Sequence, residues 1–293
     1  MKLIAIDMDG TLVSKQLKVT KANKEAIEKA REEGHMVVIA TGRSFDEARY
    51  TLSEAELYLP LICVNGAEIR SDNWEKVTSI PIPSKQYFDI EKALRANDIY
   101  YEVYTSEGTY TDNREKAFKV MKDIVLTSNP EATEDDVHKA ALRRFKLGTV
   151  NFISDYDMLM EKEGLEVYKV LAFSSEQEKI ANSVDMLRKI DHLAVSSSAN
   201  NNLEITNADA QKGVALEKFS KLHNISLKDT MAIGDNYNDV SMLEKAGISV
   251  AMGNAYDEIK QIAKHVTKTN DESGVAYAIE NYLEEKKGLS RKS

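Results

Sequence analysis

Three short segments of this chain place acids, a hydroxyl and small residues where chemistry is easily built. The first is Asp7-Met8-Asp9-Gly10-Thr11, two carboxylates separated by one residue directly after the apolar run Leu3–Ile6. If the chain turns tightly there, as Gly10 permits, both acids face one pocket and can hold a hard cation that prefers oxygen ligands, such as Mg²⁺. The second is Thr41-Gly42-Arg43, which follows Val37–Ala40. A hydroxyl beside backbone N–H groups at a helix start suits a phosphate oxygen, although the same residues also make an ordinary helix cap with a surface arginine. The third is Gly234-Asp235-Asn236-Tyr237-Asn238-Asp239, after Met231–Ile233. It sets a second carboxylate cluster at the end of a second apolar run, with an Asx-rich turn as the plainer reading. Lys212 opens a helical stretch and, taken alone, reads as a solvent-facing lysine.

These residues need a scaffold, and the first third of the chain supplies its grammar. Short apolar runs at Leu3–Ile6, Met36–Ala40 and Leu61–Val64 alternate with helical patterns, which predicts βαβ units feeding a parallel sheet. Thr20 caps the first helix, Gly34 follows it, and a second helix spans Ser44–Leu57. The last third repeats the pattern: a helix over Lys212–Leu222, strands at Met231–Ile233 and Ile248–Val250, and a final helix Val275–Glu285 trailed by a polar tail. Ligands of open α/β sheets bind outside the carboxyl ends of strands, so Asp7, Thr41 and Asn65 can converge on one site. Between these halves, after Pro81-Ile82-Pro83, the texture changes to aromatic strand-like runs at Ile99–Tyr104 and Val167–Phe173. Helical patterns at Ser84–Asn97, Arg114–Val125 and Glu176–Ile190 would cover one face of that sheet. Leu193–Ser197 and Leu203–Thr206 would form a closing hairpin, with Asn200, Asn201 and Asn202 in or near its turn. The expected fold is therefore α/β, a doubly wound Rossmann-like parallel-sheet core over 1–82 and 208–293, with an inserted α+β domain at 83–207.

Composition narrows the partners. Among 293 residues there are 39 Lys and Arg against 48 Asp and Glu, a formal net charge of −9. Nucleic acid and anionic membrane both require a basic footprint, so neither is the expected partner. No stretch approaches the roughly 20 apolar residues that span a bilayer, and the N-terminus carries no export signal. The single cysteine, Cys63, excludes an internal disulfide framework and fits a reducing, cytoplasmic compartment. A monomer or a weak homodimer is expected.

In order and spacing these segments resemble the motifs of the haloacid dehalogenase superfamily of phosphohydrolases: Asp7-Met-Asp-Gly-Thr-Leu the first, Thr41-Gly-Arg the second, Lys212-Gly213 the third and Gly234-Asp-Asn-Tyr-Asn-Asp239 the fourth. Asn65-Gly66-Ala67, Leu203-Glu204-Ile205, Ala251-Met-Gly-Asn254 and Asn270 to Val275 are similar to the Cof-type branch, subfamily IIB, whose α+β cap lies between the second and third motifs. The resemblance implies a phosphatase acting on a small phosphorylated metabolite, in which Asp7 attacks phosphorus, Asp9 is the acid/base, and Mg²⁺ is held by Asp7, the Asp9 carbonyl and Asp235. It further implies that Thr41, Gly42, Lys212 and Asn238 contact the phosphoryl group. Asp239 would support the metal or orient Lys212, while Met8, Arg43, Asn65 and Gly66 would lie on the substrate side. The cap would choose the substrate among sugar phosphates, pyridoxal phosphate and flavin mononucleotide. Two other readings remain open: a phosphomutase or phosphotransferase that passes the group to a sugar hydroxyl, and a non-catalytic phosphate- or Mg²⁺-binding regulator.

Overall fold

The computed structural model describes residues 2–119, 122, 133, 135, 150–196 and 201–290. The chain divides into two compact units, Met1–Ser79 with Ala210–Ser293, and Ile80–Asp209. The first is built on an eight-stranded sheet. Its strands are β1 (Leu3–Ile6), β2 (Met36–Ala40), β3 (Leu61–Cys63), β4 (Glu68–Arg70), β5 (Lys76–Ser79), β12 (Thr230–Gly234), β13 (Ile248–Ala251) and β14 (His265–Val266), in the order β14-β13-β12-β1-β2-β3-β4-β5. Six of these run parallel, and the β4–β5 hairpin adds an antiparallel edge. Strands β1, β2 and β12 read as near-continuous apolar runs because helices flank a parallel sheet on both faces, and every residue of β1 and β12 is buried.

The chain winds from β1 outward through β2 and β3, then returns on the other side of β1 as β12, β13 and β14. Such a reversal leaves a crevice at the carboxyl ends of the central strands. In the register, Ile6 lies opposite both Ile39 and Ile233, so the residues following β1, β2 and β12 emerge together.

Local chemistry sets the element ends. Thr20 accepts the Asn23 N–H at the start of helix Lys21–Glu32, and Gly34 follows at a φ of 84°. Ser44 and Glu47 form a capping box on helix Phe45–Glu54. That helix stops short of the expected Leu57, since Glu56 adopts a left-handed φ of 55° and the Leu57 N–H closes on the Leu52 carbonyl. Strand β3 likewise ends at Cys63, before the expected Val64, because Val64 and Asn65 both turn left-handed. The last helix, Gly274–Ser290, continues well past the expected Glu285 into the tail.

The second unit carries a six-stranded sheet: β6 (Tyr100–Thr105), β7 (Gly108–Thr111), β8 (Val150–Phe152), β9 (Val167–Phe173), β10 (Leu193–Ser196) and β11 (Asn202–Asn207), ordered β10-β11-β9-β6-β7-β8. One face, with Tyr101, Val103, Val170, Ala172, Leu203 and Ile205, buries against helices Ser84–Ala96 and Gln177–Leu187. Asn202 belongs to strand β11 rather than to the hairpin turn. Residues 114–119 are helical; the remainder of the helix expected up to Val125, apart from Lys122, and Asn200 lie outside the described residues.

Candidate active site

Asp7 leaves β1 with an extended backbone and enters a wide turn, Met8–Leu12, in which the Leu12 N–H bonds the Asp7 carbonyl and the Val13 N–H that of Met8. Gly10 makes this turn possible at a φ of 77°. A Cβ there would meet the carboxylate of Asp235 at 2.3 Å, so the turn packs directly on the acid that follows β12. Met8 and Thr11 are buried beneath it, and the Thr11 hydroxyl donates to Asp235 Oδ1 at 2.8 Å.

Helix Lys212–Leu222 delivers Lys212 into this pocket, where its side chain is fully buried. The ammonium donates to Asp7 Oδ1 at 2.6 Å and to Asp239 Oδ1 at 2.7 Å. The other oxygen of Asp239 accepts the backbone N–H groups of Asp235 and Asn236, so this carboxylate caps its own turn and anchors the lysine at once. One carboxylate oxygen each of Asp7, Asp235 and Asp239 lies within 4.8 Å of the others. An all-oxygen donor set of this size fits a hard divalent cation. Asp239 is already satisfied by three donors, which leaves Asp7 and Asp235 the carboxylates best able to turn toward one.

Three acids around one ammonium are electrostatically strained. Burial, reinforced by Asp239 and Asp235 against the opposing pull of Lys212, holds the Asp7 carboxyl well above its ordinary range. Burial and then Asp239 push Asp235 up to about 6. Burial disfavours the Lys212 ammonium, but Asp239 and Asp7 outweigh it and keep the proton on.

Asp9 stands apart from the three clustered acids. Its half-exposed carboxylate is gripped on both oxygens by Arg43, Nε at 2.8 Å and Nη2 at 2.6 Å. Burial is the largest influence and opposes the Arg43 charge, but the bond to Asp9, the Asp9 charge and the nearby Glu47 and Asp7 together outweigh it and keep the guanidinium charged. Thr41 follows β2 directly and is fully buried; its hydroxyl accepts the Arg43 N–H, and its carbonyl accepts the N–H of Asn65 at 2.9 Å. The left-handed turn after β3 thus sets Asn65 beside Gly42 and Asn238, whose Nδ2 donates to Asn65 Oδ1 at 3.1 Å. Gly66, next in the chain, is buried against the Gln211 carbonyl, just ahead of Lys212.

A family model for haloacid dehalogenase-like hydrolases matches residues 4–279. The chain belongs to the haloacid dehalogenase-like hydrolases. The phosphatase YwpJ of Bacillus subtilis is 36% identical over 285 residues, covering 97% of this chain and all of that protein. The 5-amino-6-(5-phospho-D-ribitylamino)uracil phosphatase YwtE of the same organism is 35% identical over 97% of this chain and 98% of its own length. A solved haloacid dehalogenase-like hydrolase from B. subtilis superimposes with a TM-score of 0.84 at 36% identity, covering 96% of this chain and 99% of that one. This haloacid dehalogenase-like chain is a phosphatase, a phosphoric monoester hydrolase of the Cof-type branch.

In this hydrolase several site residues were given no role of their own in the sequence. Thr11 was visible only as part of a motif, yet it fixes Asp235. Asn254 donates to the Gly10 carbonyl at 2.8 Å and accepts the Asn270 N–H, and Asn270 in turn holds the Val13 carbonyl, so two distant asparagines brace the middle of the turn after Asp7 and the residue that follows it. Thr51 contacts Arg43 Nη1 at 2.6 Å, a link that no spacing announces. Among the described residues no helix is long and apolar enough to cross a membrane.

Proposed function

We propose that this phosphatase is Mg²⁺-dependent and hydrolyses small phosphorylated metabolites, sugar phosphates or similar monoesters, through an aspartyl phosphate on Asp7. Asp7 attacks phosphorus as the ester P–O bond breaks. Asp9 gives the leaving alkoxide a proton, then takes one from the water that cleaves the acyl phosphate. Lys212 holds the Asp7 carboxylate in line, while Thr41, the Gly42 N–H and Asn238 supply donors to the transferring oxygens. Asp7, Asp235 and the Asp9 carbonyl would hold the cation, with Asp239 supporting Lys212 behind them. Bound there, the cation contributes positive charge that screens Asp7 from an anionic ester and stabilises the group in transfer. Met8, Arg43, Asn65 and Gly66 frame the substrate side, and the insertion 83–207 selects the leaving group.

The observation that carries this reading is the buried Lys212 shared between Asp7 and Asp239, beside Asp235. Without a cation and a phosphate, a fold gains little by burying three acids against one base. The relative named for a phosphoribityl compound supports a phosphate on a polyol chain as one substrate type. The test is phosphate release from a panel of small esters, with Mg²⁺ and with excess chelator, by the wild-type protein and Asp7→Asn. Metal-dependent release that vanishes in the variant is expected. Substantial activity in Asp7→Asn would sink the nucleophile assignment, and tight Mg²⁺ binding without release from any ester would favour a non-catalytic regulator.

A further inference from the structure

Asp9 is the one acid of the site with more than half of its side chain in solvent, 52% exposed, and a carboxylate so placed has no packing to aim it. Its orientation comes instead from Arg43. The guanidinium meets the carboxylate with two of its nitrogens, Nε and Nη2, one on each oxygen, a two-point contact that fixes the plane of the acid as well as its position.

Arg43 is itself held at both ends. Its N–H donates to the Thr41 hydroxyl, its carbonyl accepts the Val64 N–H at 2.9 Å, and its remaining terminal nitrogen, Nη1, donates to Thr51 on helix Phe45–Glu54. Thr51 is 6% exposed and its hydroxyl also bonds the Glu47 carbonyl. The arginine is therefore locked to the ends of β2 and β3 and to a helix, and that rigidity passes to Asp9.

From this geometry we infer that Arg43 is a positioning residue for proton transfer, aiming the Asp9 carboxyl at the ester oxygen, and is not primarily a phosphate contact. The inference rests on the assignment of Asp9 as acid/base under the proposed function. In the first half-reaction the proton on Asp9 passes to the bridging oxygen as its bond to phosphorus breaks and the Asp7 oxygen–phosphorus bond forms. In the second, a water proton passes to Asp9 as the water oxygen takes phosphorus from Asp7. An aimed carboxyl matters in proportion to how badly the leaving oxygen needs a proton. An alkoxide needs it; a nitrophenolate leaves unaided.

The test compares glycerol phosphate with p-nitrophenyl phosphate as substrates of the wild-type protein, Arg43→Lys, Arg43→Met and Thr51→Val, with circular dichroism to establish that each variant is folded. Both Arg43 variants should lose about 100-fold or more in kcat on glycerol phosphate, within the range attributable to a general acid, and about tenfold or less on p-nitrophenyl phosphate. Lysine keeps the charge but cannot make the two-point contact, so it should not rescue. Thr51→Val, which removes only the brace, should show a smaller loss with the same preference for the alkyl ester. Equal losses on both substrates, carried by a rise in KM, would make Arg43 a phosphate contact and overturn the inference, as would full rescue by lysine. Wild-type protein inert toward both esters would instead count against the phosphatase reading itself.

Discussion

The ammonium of Lys212 lies 2.6 Å from Asp7 Oδ1, although 205 residues separate the two along the chain. Their contact joins the end of the first strand to the helix that re-enters the core unit, so the geometry of Asp7 depends on the two halves of that unit closing correctly. It also fixes which Asp7 oxygen is occupied, because the lysine takes Oδ1 and shares its remaining donors with Asp239.

Removing the lysine should cost stability as well as activity. In Lys212→Met, Asp7 and Asp239 lose their common counter-charge in a dry pocket, a loss of about 3–5 kcal/mol when one partner of a buried pair is deleted. Adding Asp239→Asn relieves part of the strain while keeping an oxygen for the Asp235 and Asn236 N–H groups, so the double variant should recover some stability and no turnover. Urea unfolding beside phosphate release separates the two effects. A single variant as stable as the wild type would mean that the ion pair contributes nothing to the fold.

Proton and cation should compete for the same acids. In the cation-free protein burial and then Asp239 push Asp235 up to about 6, and burial raises Asp7 as well. The folded state therefore binds protons more tightly than the unfolded chain. Its stability falls as pH rises from the ordinary carboxylate value through about 6, the opposite of a salt-bridged acid with a lowered pKa. A divalent cation needs the ionised acids, so the stabilisation it confers should be small at pH 5 and large at pH 7.5, about 2.7 kcal/mol at a hundredfold excess over its Kd. Melting curves with Mg²⁺ and with chelator at both pH values measure this directly. An equal Mg²⁺ shift at the two pH values would refute the competition.

What could be read from the sequence was what burial makes uniform. Leu3–Ile6, Met36–Ala40 and Val167–Phe173 were legible to the residue because strands buried in a sheet interior become apolar or aromatic runs, broken in the last only by Lys169. The β4–β5 hairpin was not. Glu68–Arg70 and Lys76–Ser79 are short and polar, and they are held by backbone pairing, β4 to β3 and β5 to β4, with a Glu68–Arg70 ion pair inside β4 itself, none of which leaves a periodic signal. The acids of the candidate site stood out because they end strands. Lys212 did not, since alone it has the composition of a surface lysine and only assembly buries it. The Asp9–Arg43 contact was invisible for a similar reason: both residues could be named, but not that one grips the other.

The approach of Lys212 also rests on its neighbour. A Cβ on Gly213 would sit 2.1 Å from the Ser241 carbonyl oxygen, and the Gly213 N–H donates to the Ser241 hydroxyl at 3.0 Å. The helix carrying Lys212 thus crosses the backbone near helix Val240–Lys245 at a distance only glycine allows, and the colliding atom is main chain, which cannot rotate away. Gly213→Ala should push the helix start outward and destabilise the protein by about 1–3 kcal/mol, the usual range for overpacking. Because Lys212 is the adjacent residue, displacement should lengthen its bonds to Asp7 and Asp239 and lower kcat more than KM. Gly34→Ala is the control. Nothing lies within 4 Å of its Cβ, so only the left-handed φ of 84° opposes alanine there, at roughly 1 kcal/mol, and turnover should be unchanged. Unfolding and steady-state kinetics on both variants decide the matter: if Gly213→Ala retains wild-type kcat, the close crossing supports the fold alone and Lys212 is positioned by its acids.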